Sequence, residues 1–197
     1  MTDLTLSANA QDLLFREART ANSFSDEPVT DEQVAAIYEL VKFGPTAMNS
    51  QPLRVLLVRS DDAKQRLLKH MADGNRDKTA SAPLVAVLAA DTDFHEHLPR
   101  TFPHFPGAKD LFSDDAGREQ AARNNAWMQA GYFILGVRAA GLAAGPMGGY
   151  DAAGVDAEFF AGTSLKSIMV VNIGKPGDNP WFDRLPRLDR DEVVLEA

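Results

Sequence analysis

Three short segments of the chain combine hydrogen-bonding side chains with residues that leave backbone N–H and C=O groups open. They are Arg19-Thr20-Ala21-Asn22-Ser23-Phe24, Gly44-Pro45-Thr46-Ala47-Met48-Asn49-Ser50-Gln51-Pro52 and Gly145-Pro146-Met147-Gly148-Gly149. A flat heteroaromatic ring with several ring nitrogens and carbonyls needs donors and acceptors along its edge, and these segments supply both. Singly, each also reads as a cap or a turn. Together they predict a ligand cleft.

A rival signal is the cluster Asp91, Asp93, His95, Glu96 and His97. If the strand before it continued, Asp91, Asp93, His95 and His97 would alternate onto one face as ligands for a divalent metal, and the protein would be a metal-dependent hydrolase. The competing reading is a solvated strand end with Asp93 capping a short helix. No H-E-x-x-H accompanies the cluster, so the metal reading rests on spacing alone.

Other catalytic signatures are missing. There is no G-x-S-x-G elbow, no strand followed by G-x-G-x-x-G and no G-x-x-x-x-G-K-[ST]. A nicotinamide would therefore bind transiently, without a fold of its own. The chain has no cysteine, which removes disulfides, thiolate metal sites and thiol catalysis. Its net charge of -8 and the lack of any Lys/Arg run argue against nucleic acid. An anion site must be built locally against that background.

Behind these segments, the apolar spacing predicts the elements that position them. A helix is expected over Ser7 to Ala21, with Leu13, Leu14 and Ala18 on one face. Thr30 and Gln33 form a capping-box pair ahead of Val34, Ile37, Tyr38 and Val41, and Gly44-Pro45 stops that second helix. Leu53 to Arg59 reads as a strand, Ser60 as the cap of a helix ending near Met71, and Gly74-Asn75 as a polar loop. Leu84 to Ala90 reads as a buried strand and Asp91 to Gly117 as an excursion of loop and short helical pieces over a site. Ala121 to Ala140 reads as a long helix, apolar on most sides in its second half and so central or packed on another chain. A helix over Asp151 to Phe160, a strand over Ser167 to Ile173 and an extended proline-rich tail complete the pattern.

With 45% apolar and 24% charged residues the composition is globular, and 197 residues suit one domain spanning 1–197. The expected class is α+β, a small mixed β-sheet covered by helices. The polar start, Met1 to Gln11, lacks an export pattern. The most apolar stretch, Ala130 to Ala144, falls short of the ~20 residues of a membrane span. A cytoplasmic protein without membrane contact is expected.

In their order, the segments resemble the FMN-dependent nitroreductase family, over Arg16 to Val194. The family's Arg-Ser-x-Arg-x-Phe followed by Pro-Val is matched by Arg19 to Phe24 with Pro28-Val29. Its Pro-Ser-x-x-Asn-x-Gln-Pro is matched by Pro45 to Pro52. Asn75 and Lys78 fall where the family places an Asn and a basic residue. Gly141-Leu142 with Pro146 to Gly149 resembles the loop beside the isoalloxazine, and Arg184-Leu185-Pro186-Arg187 the basic C-terminal element. Phe43 to Thr46, Leu98-Pro99, Phe102-Pro103-His104, Phe159 to Gly162 and Arg184 to Leu188 carry a closer likeness to the malonic semialdehyde reductase subgroup of pyrimidine degradation.

The resemblance implies a nitroreductase-like homodimer with FMN in two interface clefts, both chains contributing. NADH or NADPH would be the donor in a ping-pong cycle. The acceptor would be a small molecule: a malonic semialdehyde-like aldehyde, a nitroaromatic or a quinone. A flavin-binding dimer without turnover is the non-enzymatic alternative. Arg19 and Arg187, with Arg184 second, would take the phosphate, and Thr20 and Asn22 would be further cofactor contacts, Asn22 at the flavin's N1–C2 edge. Pro45, Thr46, Asn49 and Gln51 would meet the ribityl chain or ring, Asn75 and Lys78 its polar edge, and Pro146, Met147 and Gly148 the region near N5. His104 is the candidate proton donor, or else a structural loop residue; Phe102 and Phe105 form a lid or anchor the excursion. Asn22 departs from the family's second Arg, which would leave the reduced flavin anion without a cation and the flavin less oxidising.

Overall fold

The computed structural model describes residues 4–197. At its centre the uninterrupted apolar run Leu84–Asp91 forms β2, buried at every position. Leu165–Gly174 (β4) lies on one side of it and Leu53–Val58 (β1) on the other, while Ala143–Met147 (β3) pairs with β4, giving the order β1-β2-β4-β3. All three pairings are antiparallel. The sheet is thus not mixed as expected. Val58, the last residue of β1, sits opposite Val85 near the start of β2, so the connection returns at the same end of the sheet and never makes the crossover that a parallel pair requires.

Alternate residues of β2 feed two cores. Leu84, Ala86, Leu88 and Ala90 face Asp31–Val41 (α2) and Asp115–Ala139 (α6), where Ile37, Ala126, Ala130, Phe133 and Val137 pack. Val85, Val87 and Ala89 face the other layer, with Leu67 from Asp61–Leu68 (α3) and Val155 from Ala152–Phe159 (α7). The capping box at Thr30 and Gln33 is present. The long helix starts earlier than expected because the Asp114 carboxylate accepts from Gly117 N at 2.7 Å. Where α2 crosses α6, a Cβ on Gly136 would lie 2.3 Å from Val41 Cγ1.

Three further expectations are corrected. The first helix is only Ala8–Gln11 (α1) and one wide turn, Asp12–Arg16, instead of reaching Ala21. Beyond it the backbone N–H groups of Ala21, Asn22 and Ser25 donate to Ala144 O, Pro180 O and Lys175 O, so tertiary partners replace the helical ones. The Gly74-Asn75 region is a helix, Asp73–Ser81 (α4). Part of the segment read as a glycine turn is strand β3, where Pro146 is tolerated because β3 is a sheet edge.

The excursion is built of loop and short helical pieces, as expected. It comprises a tight turn at Phe94–His97, the short helix Leu98–Thr101 (α5) and a second tight stretch at Pro106–Phe112, anchored by buried Phe94, Leu98 and Ala108. The tail is extended and ends in the short helix Arg190–Val193 (α8). No helix among the described residues is long and apolar enough to cross a membrane.

Candidate functional site

Arg19, Thr20 and Asn22 meet Arg184 and Arg187 of the tail around one cavity of about 260 Å³, with Phe182, Asp183 and Leu185 completing its wall. Backbone pairing brings the tail there. Asn22 N donates to Pro180 O at 2.9 Å, Ser23 Oγ to Asp178 O at 2.7 Å and Arg19 to Phe182 O at 3.3 Å. Arg184 donates to the carbonyls of Arg16 and Ala18, and Arg187 to those of Leu185 and Pro186.

Among the described residues these three guanidiniums have carbonyl partners and no carboxylate. Arg16, Arg54 and Arg59 each have one, and Arg66 has two. In a chain of net charge -8, three such cations against one carboxylate, Asp183, leave a net positive field in this cavity, suited to the forked geometry of a phosphate.

The third segment and α4 adjoin this region. Ala21 N donates to Ala144 O, and Gly145 lies so close to Ala21 O that a Cβ would stand 2.9 Å from it, which is why a side chain is excluded there. Asn75 Nδ2 and Ala72 N both donate to Gly149 O, at 2.8 and 3.1 Å. The carbonyl of Lys78 accepts from Asn172 Nδ2, and Met147 and Thr79 are in contact behind it. The first and third segments, Asn75, Lys78 and the tail arginines therefore gather on the β3 side of the sheet.

The second segment does not join them. It leads into β1, on the opposite edge, about 14 Å away across three strand spacings. A single chain thus separates two groups of residues that sequence order places together. Locally the segment is strained: Met48, Asn49 and Gln51 have φ of 52°, 50° and 45°, and left-handed backbone without glycine costs on the order of 1 kcal/mol or more per residue. Hydrogen bonds hold it. Asn125 Oδ1 accepts from Ala47 N at 2.8 Å, Thr46 Oγ1 from Gln51 N, and Asn49 Oδ1 from Gln51 Nε2, while Asn49 Nδ2 donates to Thr101 O at 2.7 Å. Thr46, Asn49 and Gln51 line an open cleft with Tyr38, Phe43 and Pro45.

Through the Asn49–Thr101 bond the excursion sits beside this second segment. The ring of exposed His104 lies 3.9 Å from that of Phe102, on the far side of the sheet from the arginine cavity. The same side carries an exposed apolar face made of Tyr38, Phe43, Trp127, Met128 and Tyr132. Tyr132 reaches the second segment, for its ring would lie 2.9 Å from a Cβ on Gly44.

The metal reading of the 91–97 cluster is overturned. Strand β2 ends at Asp91 and the chain turns at Phe94–His97, so alternation stops. Among the described residues no three His, Asp or Glu side chains converge as ligands. Asp91 is instead buried against Arg54, and Asp93, at the head of the turn, makes no side-chain cap. Sequence reading missed Arg54 and Asn125, whose partners lie 37 and 78 positions away, with no local signal.

Comparison with known proteins matches the Nitroreductase family model to residues 15–175. A Streptomyces griseus protein provisionally named an NADH dehydrogenase/NAD(P)H nitroreductase is 68% identical over 97% of both chains. Among solved structures, a Bacillus subtilis protein provisionally named a nitroreductase superposes with a TM-score of 0.86 at 24% identity, covering 96% of this chain and 99% of that one. A protein of Exiguobacterium sibiricum provisionally named a nitroreductase and solved in complex with FMN gives a TM-score of 0.83 at 17% identity over all of both chains. These two structural likenesses show the fold.

Proposed function

The chain belongs to the nitroreductase family, and from that premise we propose that it is an FMN-dependent NAD(P)H oxidoreductase acting as one domain over residues 1–197. The carrying observation is the cavity where Arg19, Arg184 and Arg187, none of them ion-paired among the described residues, stand against the single carboxylate Asp183, tied to β3 through the Ala21 N to Ala144 O bond. FMN fits the residues present: an anionic phosphate for the guanidiniums, and a polar ring edge for Asn75, Lys78 and the backbone of Pro146 to Gly148. When bound, FMN supplies a two-electron relay at N5, from NADH or NADPH to a second substrate in ping-pong order.

The chain's own residues bind, orient and enclose. Arg19 and Arg187 hold the phosphate, Arg184 assists, Thr20 completes the wall, and Asn22, in that same wall, serves the flavin's N1–C2 edge. Pro45, Thr46, Asn49 and Gln51, on the far edge of the sheet, serve the site of a second copy. The apolar face of Tyr38, Phe43, Trp127, Met128 and Tyr132 supports this homodimer, since a patch of that kind marks an association surface. The long helix α6 is then an interface helix, and each of two sites draws on both chains. His104 and Phe102, adjoining the second segment, enter that same shared site, with His104 the candidate proton donor to an aldehyde acceptor.

The proposed acceptor is a small aldehyde of the malonic semialdehyde kind, as in pyrimidine degradation, with nitroaromatics and quinones as further acceptors. A cytoplasmic location suits the nicotinamide donors. The test is the visible spectrum of the purified protein, then anaerobic addition of NADH and, separately, NADPH. A flavin spectrum that bleaches supports the reading and names the donor. A colourless protein that takes up no added FMN overturns it, and bound FMN that neither donor reduces indicates a flavin-binding dimer without turnover.

A further inference from the structure

Arg54 joins three parts of the molecule. Its guanidinium donates to Gln51 O at 2.9 Å and Leu53 O at 3.0 Å, and to Asp91 Oδ2 at 2.6 Å. Asp91 is 5% exposed, and its other oxygen accepts from Ser164 Oγ at 2.7 Å and from Asp93 N at 3.0 Å. His97 Nε2 lies 3.8 Å from Oδ2. One buried carboxylate therefore ties the first turn of the excursion, the start of β4 and, through Arg54, the strained second segment. Asn49 Nδ2 to Thr101 O makes the second link between that segment and the excursion.

The left-handed backbone at Met48, Asn49 and Gln51 persists only where surroundings over-determine it. Arg54 is the one charged side chain bonded to that segment among the described residues, and it grips the carbonyl of Gln51 itself. A guanidinium can fork to two carbonyls and a carboxylate at once; a lysine ammonium lacks that planar fork. We infer that the Arg54–Asp91 pair is a positioning clamp. It presets the Thr46-to-Gln51 edge and its spacing from the excursion, so that the FMN-contacting edge is ordered before ligand arrives.

The inference rests on the FMN reading for its consequence and on the free chain for its mechanism, and the two are measured separately. Hydrogen exchange of the FMN-free protein reads the amides of Ala47, Asn49, Ser50 and Gln51. Arg54→Met should exchange these at least tenfold faster than wild type, and Arg54→Lys should lie between. FMN titration by fluorescence quenching should show Kd raised about tenfold in Arg54→Met. The control is Arg59→Met just beyond the far end of β1, whose side chain bonds to Asp31 and Val29 O and to no residue of the second segment. It should lower stability and leave both readouts unchanged.

Unchanged exchange in Arg54→Met overturns the clamp whether or not the protein binds FMN. Faster exchange with an unchanged FMN Kd reduces the pair to a structural tie and also overturns it. Wild-type protein that binds no FMN overturns the functional reading, while the exchange data still decide whether the clamp exists. Asp91→Asn guards against loss of fold in Arg54→Met, since it keeps the volume and the bonds from Ser164 and Asp93 while weakening the grip on Arg54. It should loosen the same amides.

Discussion

Replacing Arg187 by alanine is the sharpest probe of the arginine cavity. The three guanidiniums there are not equivalent. Arg19 and Arg184 also stitch the N-terminal segment to the tail, through Phe182 O and through Arg16 O and Ala18 O, so removing either would release chain as well as charge. Arg187 bonds only to the carbonyls of the two residues before it, so its loss breaks no long-range hydrogen bond. A charge-assisted hydrogen bond contributes about 1.5–3 kcal/mol. At 1.4 kcal/mol per tenfold, Arg187→Ala should raise the Kd for FMN by about 10- to 150-fold. The assay is fluorescence titration of FMN-free protein with FMN and, in parallel, with riboflavin, which has the same ring and ribityl chain but no phosphate. Riboflavin should bind wild type and variant alike. The reasoning is refuted if FMN affinity is unchanged, or if FMN and riboflavin lose affinity equally.

A chain with Asn49→Ala and Gln51→Ala, co-expressed with a chain carrying Arg19→Ala and Arg187→Ala, should give heterodimers with one intact and one doubly damaged site. Half the FMN stoichiometry should return in them, whereas a site built within one chain would recover none. Asn22→Arg should raise the flavin potential; a cation near the reduced ring at about 1.4 kcal/mol corresponds to about 30 mV for two electrons, and spectroelectrochemistry that finds no change removes Asn22 from that edge. Gly136→Ala places a Cβ 2.3 Å from the stiff Val41 side chain and should cost about 1–3 kcal/mol by urea denaturation, with no loss meaning that α2 and α6 part easily.

What the sequence made legible depended on how local each cause is. The α2 start was readable because Thr30 and Gln33 satisfy each other's backbone three residues apart. The α4 helix was not, since Gly74 and a polar run hide it. Its order comes from elsewhere: Lys64 donates to Ala80 O and Ala82 O, and Thr79 is buried against Met147. β3 was hidden by Gly145-Pro146, which reads as a turn until the edge position excuses the missing N–H. The motifs of the candidate site were legible in order, but their division between two edges of the sheet was not. That division follows from strand order, which no spacing in the chain encodes. Neither reading of the Asp91 cluster could reach its partner, for a related reason: Arg54 neutralises Asp91 from the neighbouring strand, across the register Arg54↔Ala89.

The three guanidiniums with only carbonyl partners sit in a chain of net charge -8, and this sets two fields of different reach. At long range an incoming anion meets repulsion; within the cavity it meets attraction. Screening lengths near 8 Å at physiological ionic strength separate the two scales. Added salt should therefore hasten encounter by muting the repulsion, and hasten departure by loosening the grip. Capture and release quicken together, so an equilibrium constant alone conceals how strongly charge governs the traffic of ligand through the cavity.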